Sequence, residues 1–450
     1  MQFTEIIKAS GIVGSGGAGF PTHVKLSVKA EYFIVNAAEC EPLLEVDKYL
    51  IRERAKELIR GIDWIARNIR AAKKYIAIKK KYETEIRCLK QAIEEAKSTV
   101  KIFEMESFYP AGDEQVIVYE ITGRVVPERN IPLQVGAVVN NVGTVLAVYD
   151  AKRQGVSVTH KYLSVVGAVK NRVILRVPIG TSVSACIEEA APLEKDYGII
   201  MGGPMMGKIY SSKEEASEAV VTKTDGNILI VPKDHHLITK GIQSIRRIKN
   251  ISKSACIQCR MCTDLCPREV LGHSVKPHLI MRNIYREEQM ANDDEYIKTF
   301  GSAVNCTECG LCELYSCPMM LSPRRANSYI KSRLTQMKLT IPQNPLKPVD
   351  SERAYKKVPT SKLMLRLGLQ TYYSHESLEH VVTFTPQRVK IPMKQHIGVS
   401  SQPIVQVGDR VEEGQLIAQI PEAALGANSH ASINGCIAEV GDYIVIEAQE

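Results

Sequence analysis

Tryptophan is almost missing from this chain, with one in 450 residues, and aromatic residues of all kinds make up only 6%. No apolar run approaches the ~18 residues needed to cross a bilayer, so no membrane-spanning helix is expected. The opening, MQFTEIIKASG, carries Glu5 and lacks a basic leader before a long apolar stretch, so it does not read as a secretory signal. With 44% hydrophobic and 24% charged residues, the composition sits near the globular average, which excludes wholesale disorder, collagen and coiled coil. These absences point to a cytoplasmic protein. A length of 450 residues suggests about three domains.

Charge of one sign is scarce outside one segment. Residues 51–101 hold 15 Lys/Arg and 7 Asp/Glu, and that difference equals the +8 of the whole chain. The plain reading is a pair of solvated helices; the sharper one is a docking face for an acidic partner. No nucleic-acid-binding motif surrounds the segment, so nucleic acid is not expected.

Cysteine is abundant, with 12 residues, and in a cytoplasmic chain these do not read as a disulfide framework. Two runs hold eight of them. CIQCRMCTDLCP supplies Cys256, Cys259, Cys262 and Cys266, and CTECGLCELYSCP supplies Cys306, Cys309, Cys312 and Cys317. A C-x2-C-x2-C run lets three thiolates reach three corners of a cubane. In two-cluster ferredoxins the fourth Cys, followed by Pro, ligates the other cluster. The expected sets are therefore Cys256, Cys259, Cys262 with Cys317, and Cys306, Cys309, Cys312 with Cys266. Paired C-x2-C motifs also make zinc knuckles, but zinc has no use for a third Cys and a Cys-Pro occurring twice. Cys40, Cys88, Cys186 and Cys436 read as small apolar residues.

Residues 11–26, GIVGSGGAGFPTHVKL, place Gly14, Gly16, Gly17 and Gly19 within six positions, after a short helical pattern at Phe3, Ile6 and Ile7. Such a loop lets backbone approach a flat ring or a phosphate and points N–H groups at anions. It is neither a P-loop nor a strand-following G-x-G-x-x-G. The strand EYFIVNAAECEP follows, ending in Asn36, Glu39 and Glu41. Helices near 47–71 and 84–97 alternate with strands near 74–79 and 100–104, which predicts a parallel sheet with a ligand crevice at its carboxyl edge.

GSGGAGFPTHVKL, NAAECEP, YPAGDEQ (109–115) and NNVGT (140–144) together resemble the flavin- and NADH-binding subunit of respiratory complex I, and more closely the RnfC and PduS families. The resemblance implies FMN held by the glycine loop and Lys25. Asn36, Ala38, Glu39, Gly112, Asp113, Asn140 and Asn141 would line its ring, ribityl chain and phosphate. It gives Phe20 and Glu41 to the nicotinamide nucleotide. Ala38 departs from an acidic residue, and Asp113-Glu114 from a Glu-Glu pair, in the complex I pattern.

Residues 155–232 resemble the ubiquitin-like SLBB domain, through VVGAVKNRVILRVPIGTSV and IIMGGPMMG. Met201, Met205 and Met206 there read as packing. His23 and His396 read as polar structure. The region 376–450 resembles the barrel-sandwich hybrid of lipoyl and biotinyl carriers. Residues 420–450 contain no lysine, so a carrier role is excluded. The expected architecture is multidomain α/β and β. It comprises a Rossmann-like flavin domain at 1–152, the SLBB β-grasp domain at 153–245, a bacterial-ferredoxin-like two-cluster domain at 246–335, a linker at 336–375 and the barrel-sandwich hybrid at 376–450.

RnfC proteins carry that barrel first, whereas here it comes last, an order resembling the PduS family of propanediol-utilisation microcompartments. The resemblance implies a flavin and iron–sulfur oxidoreductase. NADH would feed FMN, two 4Fe-4S clusters and then a corrinoid, reducing cob(III)alamin to cob(II)alamin and onward to cob(I)alamin. No residue is expected to act as a covalent or acid–base catalyst, since the flavin mediates hydride transfer. An adenosyltransferase and microcompartment shell proteins are the implied partners. The stretch 1–9 reads as a packed opening helix or as a shell-targeting helix. An RnfC-type subunit of an ion-translocating complex and an electron-transfer protein without NADH binding stay open as alternatives.

Overall fold

The computed structural model describes residues 2–17, 19–374 and 376–449. The first unit is built on four parallel strands in the order Lys101–Met105, Lys73–Lys79, Tyr32–Ala37, Ala137–Asn141. Alternation along Tyr32–Ala37 sends Phe33 and Val35 to one face and Tyr32 and Ile34 to the other. The first face is covered by helices Val46–Asn68, Glu83–Glu95 and Val142–Gln154, the second by Glu114–Thr122. Both helices and both strands expected from periodicity are present, with ends shifted by a few residues. The opening helix Phe3–Ala9 buries Ile7 and packs Phe3 and Ile6 on the first core, so it belongs to this unit.

Strand order reverses between Tyr32–Ala37 and Ala137–Asn141, which opens a crevice at their carboxyl ends. The polar residues fall there: Glu39 just beyond the first strand, Lys79 at the end of the second, Asn141 at the end of the last.

The second unit is a mixed six-stranded sheet, ordered Val381–Thr383, Val173–Pro178, His160–Gly167, Asn227–Pro232, Tyr197–Met201, Lys208–Tyr210, with helix Val183–Ala190 packed on it. An antiparallel hairpin with a parallel third strand and a crossing helix is the β-grasp arrangement. Its edge strand Val381–Thr383 comes from far along the chain.

The cysteine-bearing unit is helical among the described residues. Ile245–Ala255, Pro277–Asn283, Asp293–Phe300 and Pro323–Gln336 gather around Ile248, Ile280, Phe300 and Ile330. The long interval between Cys266 and Cys306 folds as helices here, in place of the short strands of a small bacterial ferredoxin. The last unit is a pair of small sheets, Arg388–Pro392, Tyr443–Glu447, Gly435–Val440, Arg410–Val411 against Gln402–Pro403, Leu416–Gln419, Ser429–His430. They enclose Val389, Ile391, Ile417, Ile437 and Ile446.

Within the segment 336–375, expected to be a linker, residues 358–369 form a packed strap. Val358–Pro359 pairs with Phe108–Tyr109 of the first unit. Helix Thr360–Arg366 and the turn after it bury Leu363, Leu367 and Leu369 in a core shared with Tyr109, Leu237 and Leu311. Its Pro, Lys and Arg content resembled linker composition, while the leucines at helical spacing decide the outcome. Among the described residues no helix is long and apolar enough to cross a membrane.

Candidate active site

A cavity of about 870 Å³ lies where the first, β-grasp and cysteine-bearing units meet. Its size suits a cofactor-sized ligand. Gly16, Gly17, Asn36, Glu39, Glu41, Gly112, Asp113 and Asn141 line it. Gly14, Gly19, Phe20, Lys25, Ala38 and Asn140 are not among its wall residues. Lys25 stands one contact away, its Nζ 2.7 Å from Oε1 of the wall residue Glu114. Asn140 and Ala38 are buried beside their lining neighbours, and Gly14 donates its N–H to the Phe20 carbonyl at 2.9 Å, closing the loop.

Gly19 has a different task from the cradle expected of it. Its φ is +64°, and a Cβ would lie 2.9 Å from Thr224 and 3.1 Å from the His396 backbone. It lets the loop abut the β-grasp and barrel units. Gly17, at φ +118°, has nothing within 4 Å of a Cβ position, so its face is open.

The floor is polar and deep. Burial, reinforced by the charge of Asp47, pushes Glu39 up to about 8 while Lys79 pulls the other way. Burial pushes Asp47 up to about 6 although Asn141 Nδ2 donates to it at 2.6 Å. Burial raises Glu41 to about 7 against the Met205 N–H, which donates to its Oε2 at 2.7 Å. That bond joins Glu41 to the glycine turn of the β-grasp unit, where a Cβ on Gly203 would collide with the same carboxylate. The resemblance gave Glu41 to the nicotinamide; in the structure it is also a bridge between units. Lys161, from the same β-grasp unit, is pushed down to about 8 by burial. Met201 and Met205 are buried in packing, as expected, whereas Met206 is 54% exposed on the cavity rim.

Two lining residues, Arg268 and Tyr109, were not named as site residues in the sequence. Arg268, directly after Cys266-Pro267, donates to both oxygens of Asp113 at 3.0 and 2.7 Å. Asp113 also caps helix Glu114–Thr122 through the N–H groups of Gln115 and Val116. Tyr109 donates to the Cys309 carbonyl at 2.6 Å, and Cys309 itself lines the cavity. Only tertiary folding brings these together, and no spacing signals it. Arg268 Nε and Gln115 Oε1 are buried without a partner in that wall, as is the neighbouring Asn140 Nδ2. With the open Gly17 face, these orphaned donors and acceptors fit a polar, partly planar, anionic group such as FMN.

The eight cysteines fall into two sets. Cys256, Cys259, Cys262 and Cys317 surround a crevice of about 30 Å³. The thiols of Cys266, Cys306, Cys309 and Cys312 act on one another electrostatically. Each set takes its fourth cysteine from the other run, the crossed pattern expected of two cubanes. The first set rings a void, as thiolates around a cluster would. Burial pushes Cys262 and Cys266 up to about 12, so cluster assembly displaces protons.

Comparison with known proteins follows the same partition. Residues 7–150 match the family model described as the Nuo51 FMN-binding domain, 255–322 the 4Fe-4S dicluster domain, and 371–450 the RnfC barrel sandwich hybrid domain. The chain is 39% identical to cobalamin reductase PduS of Citrobacter freundii, over 98% of this chain and 95% of that protein. It is 38% identical to cobalamin reductase PduS of Salmonella typhimurium, over 99% and 96%. A component of the proton-translocating ferredoxin:NAD(+) oxidoreductase complex of Clostridium ljungdahlii is 33% identical over 63% of this chain and 59% of its own length. Among solved structures, an NAD+-reducing [NiFe]-hydrogenase in the H2-reduced state shares the fold at a TM-score of 0.50 and 20% identity, covering 78% of this chain and 65% of that one.

Proposed function

Because this chain belongs to the PduS family of cobalamin reductases, we propose that it passes electrons from NADH, through FMN and two 4Fe-4S clusters, to a corrinoid. The chain is an oxidoreductase. Bound here, FMN would supply the conversion of the two electrons of one hydride into single electrons, and each cluster would carry one at a time.

The chain's own residues set the geometry for this conversion. Gly17 leaves room for a ring or chain to lie against backbone, while Gly16 and Gly112 let the cavity wall close up against Asn141 and Cys40. Asn36 donates from its Nδ2 to the Gly112 carbonyl at 2.9 Å, which fixes its orientation in the cavity wall. Asn141, pinned by Gly143 N–H at 2.8 Å, presents the start of helix Val142–Gln154 to a phosphate. Lys25, Asn140 and Ala38 support that wall from behind. Phe20 and Glu41 remain the residues proposed to meet the nicotinamide. The observation that carries this reading is Cys309, which lines the flavin cavity and belongs to the Cys266, Cys306, Cys309, Cys312 set. No residue intervenes between the cavity and that set. The Cys256, Cys259, Cys262, Cys317 set is not on the cavity wall, and its Cys259 is exposed.

We further propose that the chain works in a propanediol-utilisation microcompartment, in contact with shell proteins, and that an adenosyltransferase receives the reduced corrinoid. The barrel at the C-terminal end supports this over an Rnf-type subunit.

Anaerobic stopped-flow mixing with NADH tests the reading. The flavin and cluster absorbance should bleach, and added hydroxocobalamin should then restore it while being reduced. Bleaching without faster cobalamin reduction than in protein-free controls overturns the corrinoid assignment, and no bleaching overturns NADH as donor.

A further inference from the structure

The Cys256, Cys259, Cys262, Cys317 set opens to solvent at one corner: Cys317 is buried but Cys259 is exposed, whereas the other set has no exposed cysteine. Around it stand large apolar side chains that cover nothing. Ile257 is 61% exposed, Met319 43% and Met320 41%. Ile257 and Met319 line the same crevice as Cys259, with Arg260 beside them. Arg366, from the strap helix Thr360–Arg366, closes the opposite edge. Its Nη2 lies 3.0 Å from Met320 Sδ and 3.4 Å from the Cys317 carbonyl. An apolar centre with guanidinium groups on its edge is thus built over the exposed thiol.

We propose that this rim is the docking face for the corrin ring, with the ring's apolar face on Ile257, Met319 and Met320. Arg260 and Arg366 then take the carboxamide oxygens and the phosphodiester at its edge. The proposal rests on the corrinoid reading above. A crevice of about 30 Å³ is far too small to enclose a macrocycle, so the ring lies across it, face on. That is the contact a plate-shaped ligand offers. Methionine suits such a face because its unbranched thioether adapts to different ring puckers and upper ligands. Guanidinium matches a phosphodiester in charge and in donor geometry. A protein partner with an acidic rim would use the arginines but has no need of a flat apolar centre over the thiol. The step balances as hydroxocob(III)alamin plus one electron and one proton giving cob(II)alamin and water. NADH supplies the electron and solvent the proton.

The holoprotein with Met319→Glu and Met320→Glu, and separately with Arg260→Ala and Arg366→Ala, tests this. All four side chains have exposed positions or edges, and iron and flavin content verify folding. Bleaching by NADH and electron delivery to hexaammineruthenium(III) should stay at the parent rate. Hydroxocobalamin reduction should fall at least tenfold in both, and the dissociation constant for unreactive cyanocobalamin, by equilibrium dialysis, should rise at least tenfold. With cobinamide, which lacks the nucleotide tail and its phosphodiester, the arginine variant should lose much less. Parent-like cobalamin reduction and binding in both variants overturns the docking face and leaves a protein partner or the flavin cavity as the exit. Unaltered protein that bleaches with NADH yet never reduces hydroxocobalamin overturns the corrinoid reading and the face with it.

Discussion

A single missing side chain decides whether the flavin wall is open. Gly17 combines φ +118° with empty space where a Cβ would be, so a larger residue there meets no protein atom and projects into the volume a ligand needs. Gly17→Leu should leave the fold intact apart from about 1 kcal/mol for the positive φ. It should weaken FMN at least about tenfold by fluorescence titration of apoprotein. Glu41 gives the residue scale its pH dependence. Its carboxyl is raised from 4.5 to about 7 by burial, so the folded state holds a proton that the unfolded chain releases above pH 4.5. The stability from this group is complete below 4.5 and is lost as pH rises through 7. Asp47 adds the same sign from 3.8 to about 6. Since each tenfold change in proton affinity is worth about 1.4 kcal/mol, up to about 3 kcal/mol depends on Glu41. The melting temperature of apoprotein should therefore fall between pH 5 and 7.5, and Glu41→Gln should flatten that fall. An unchanged slope would show that the carboxyl is not buried as described.

At the scale of elements, what reads from sequence is whatever repeats locally. The alternation of Tyr32–Ala37, the helical apolar spacing of Val46–Asn68 and the C-x2-C-x2-C runs each carry their meaning in a few adjacent residues, and all three appear as expected. What did not read is what depends on a distant surface. The segment 336–375 has too few apolar residues to announce a core, yet Leu363, Leu367 and Leu369 are fully buried because the β-grasp and cysteine-bearing units are already there to cover them. Likewise Val381–Thr383 becomes a strand only because Val173–Pro178 offers a free edge. Arg268 carries no local signal, and gains its role only where folding sets Asp113 opposite it. If the strap is structural, Leu363→Ala leaves a cavity under it and costs about 2–5 kcal/mol. Denaturant unfolding monitored together with iron loss checks this: the two should shift together, because Leu363 shares its core with Leu311 and Leu314 on either side of Cys312. A cost near zero would return 358–369 to the status of a linker.

For the whole molecule, the flavin cavity exists only while separate units hold together, and buried polar contacts pin them beside the shared apolar core of Tyr109, Ile200, Leu237 and Leu311. Met205 donates its N–H to Glu41 of the first unit and accepts from Arg324 of helix Pro323–Gln336 at 2.5 Å. On the other side, Lys223 of the β-grasp unit reaches the Gly11 carbonyl at 2.8 Å and the Asn428 carbonyl of the barrel at 2.6 Å. Burial alone lowers Lys223 to about 7. A neutral amine still has two N–H groups, one for each carbonyl, so the clamp does not need its charge. Unfolded lysine stays protonated to about 10.5, so raising the pH from 7 toward 10 favours the folded state through this group. Lys79 and Lys161, each lowered to about 8 by burial, act in the same direction. The difference between parent and Lys223→Met therefore isolates the clamp. Losing two buried hydrogen bonds costs about 2 kcal/mol, roughly a 30-fold rise in a local opening equilibrium. Amide exchange should then rise together in residues 11–17 and 427–431 while the cysteine-bearing unit is unaffected, and the parent's gain in stability above pH 7 should shrink. Exchange confined to one of the two segments would mean that Lys223 binds its neighbours separately. The cavity would then be closed by the Met205 joint, the Arg268–Asp113 pair and the shared apolar core without help from Lys223.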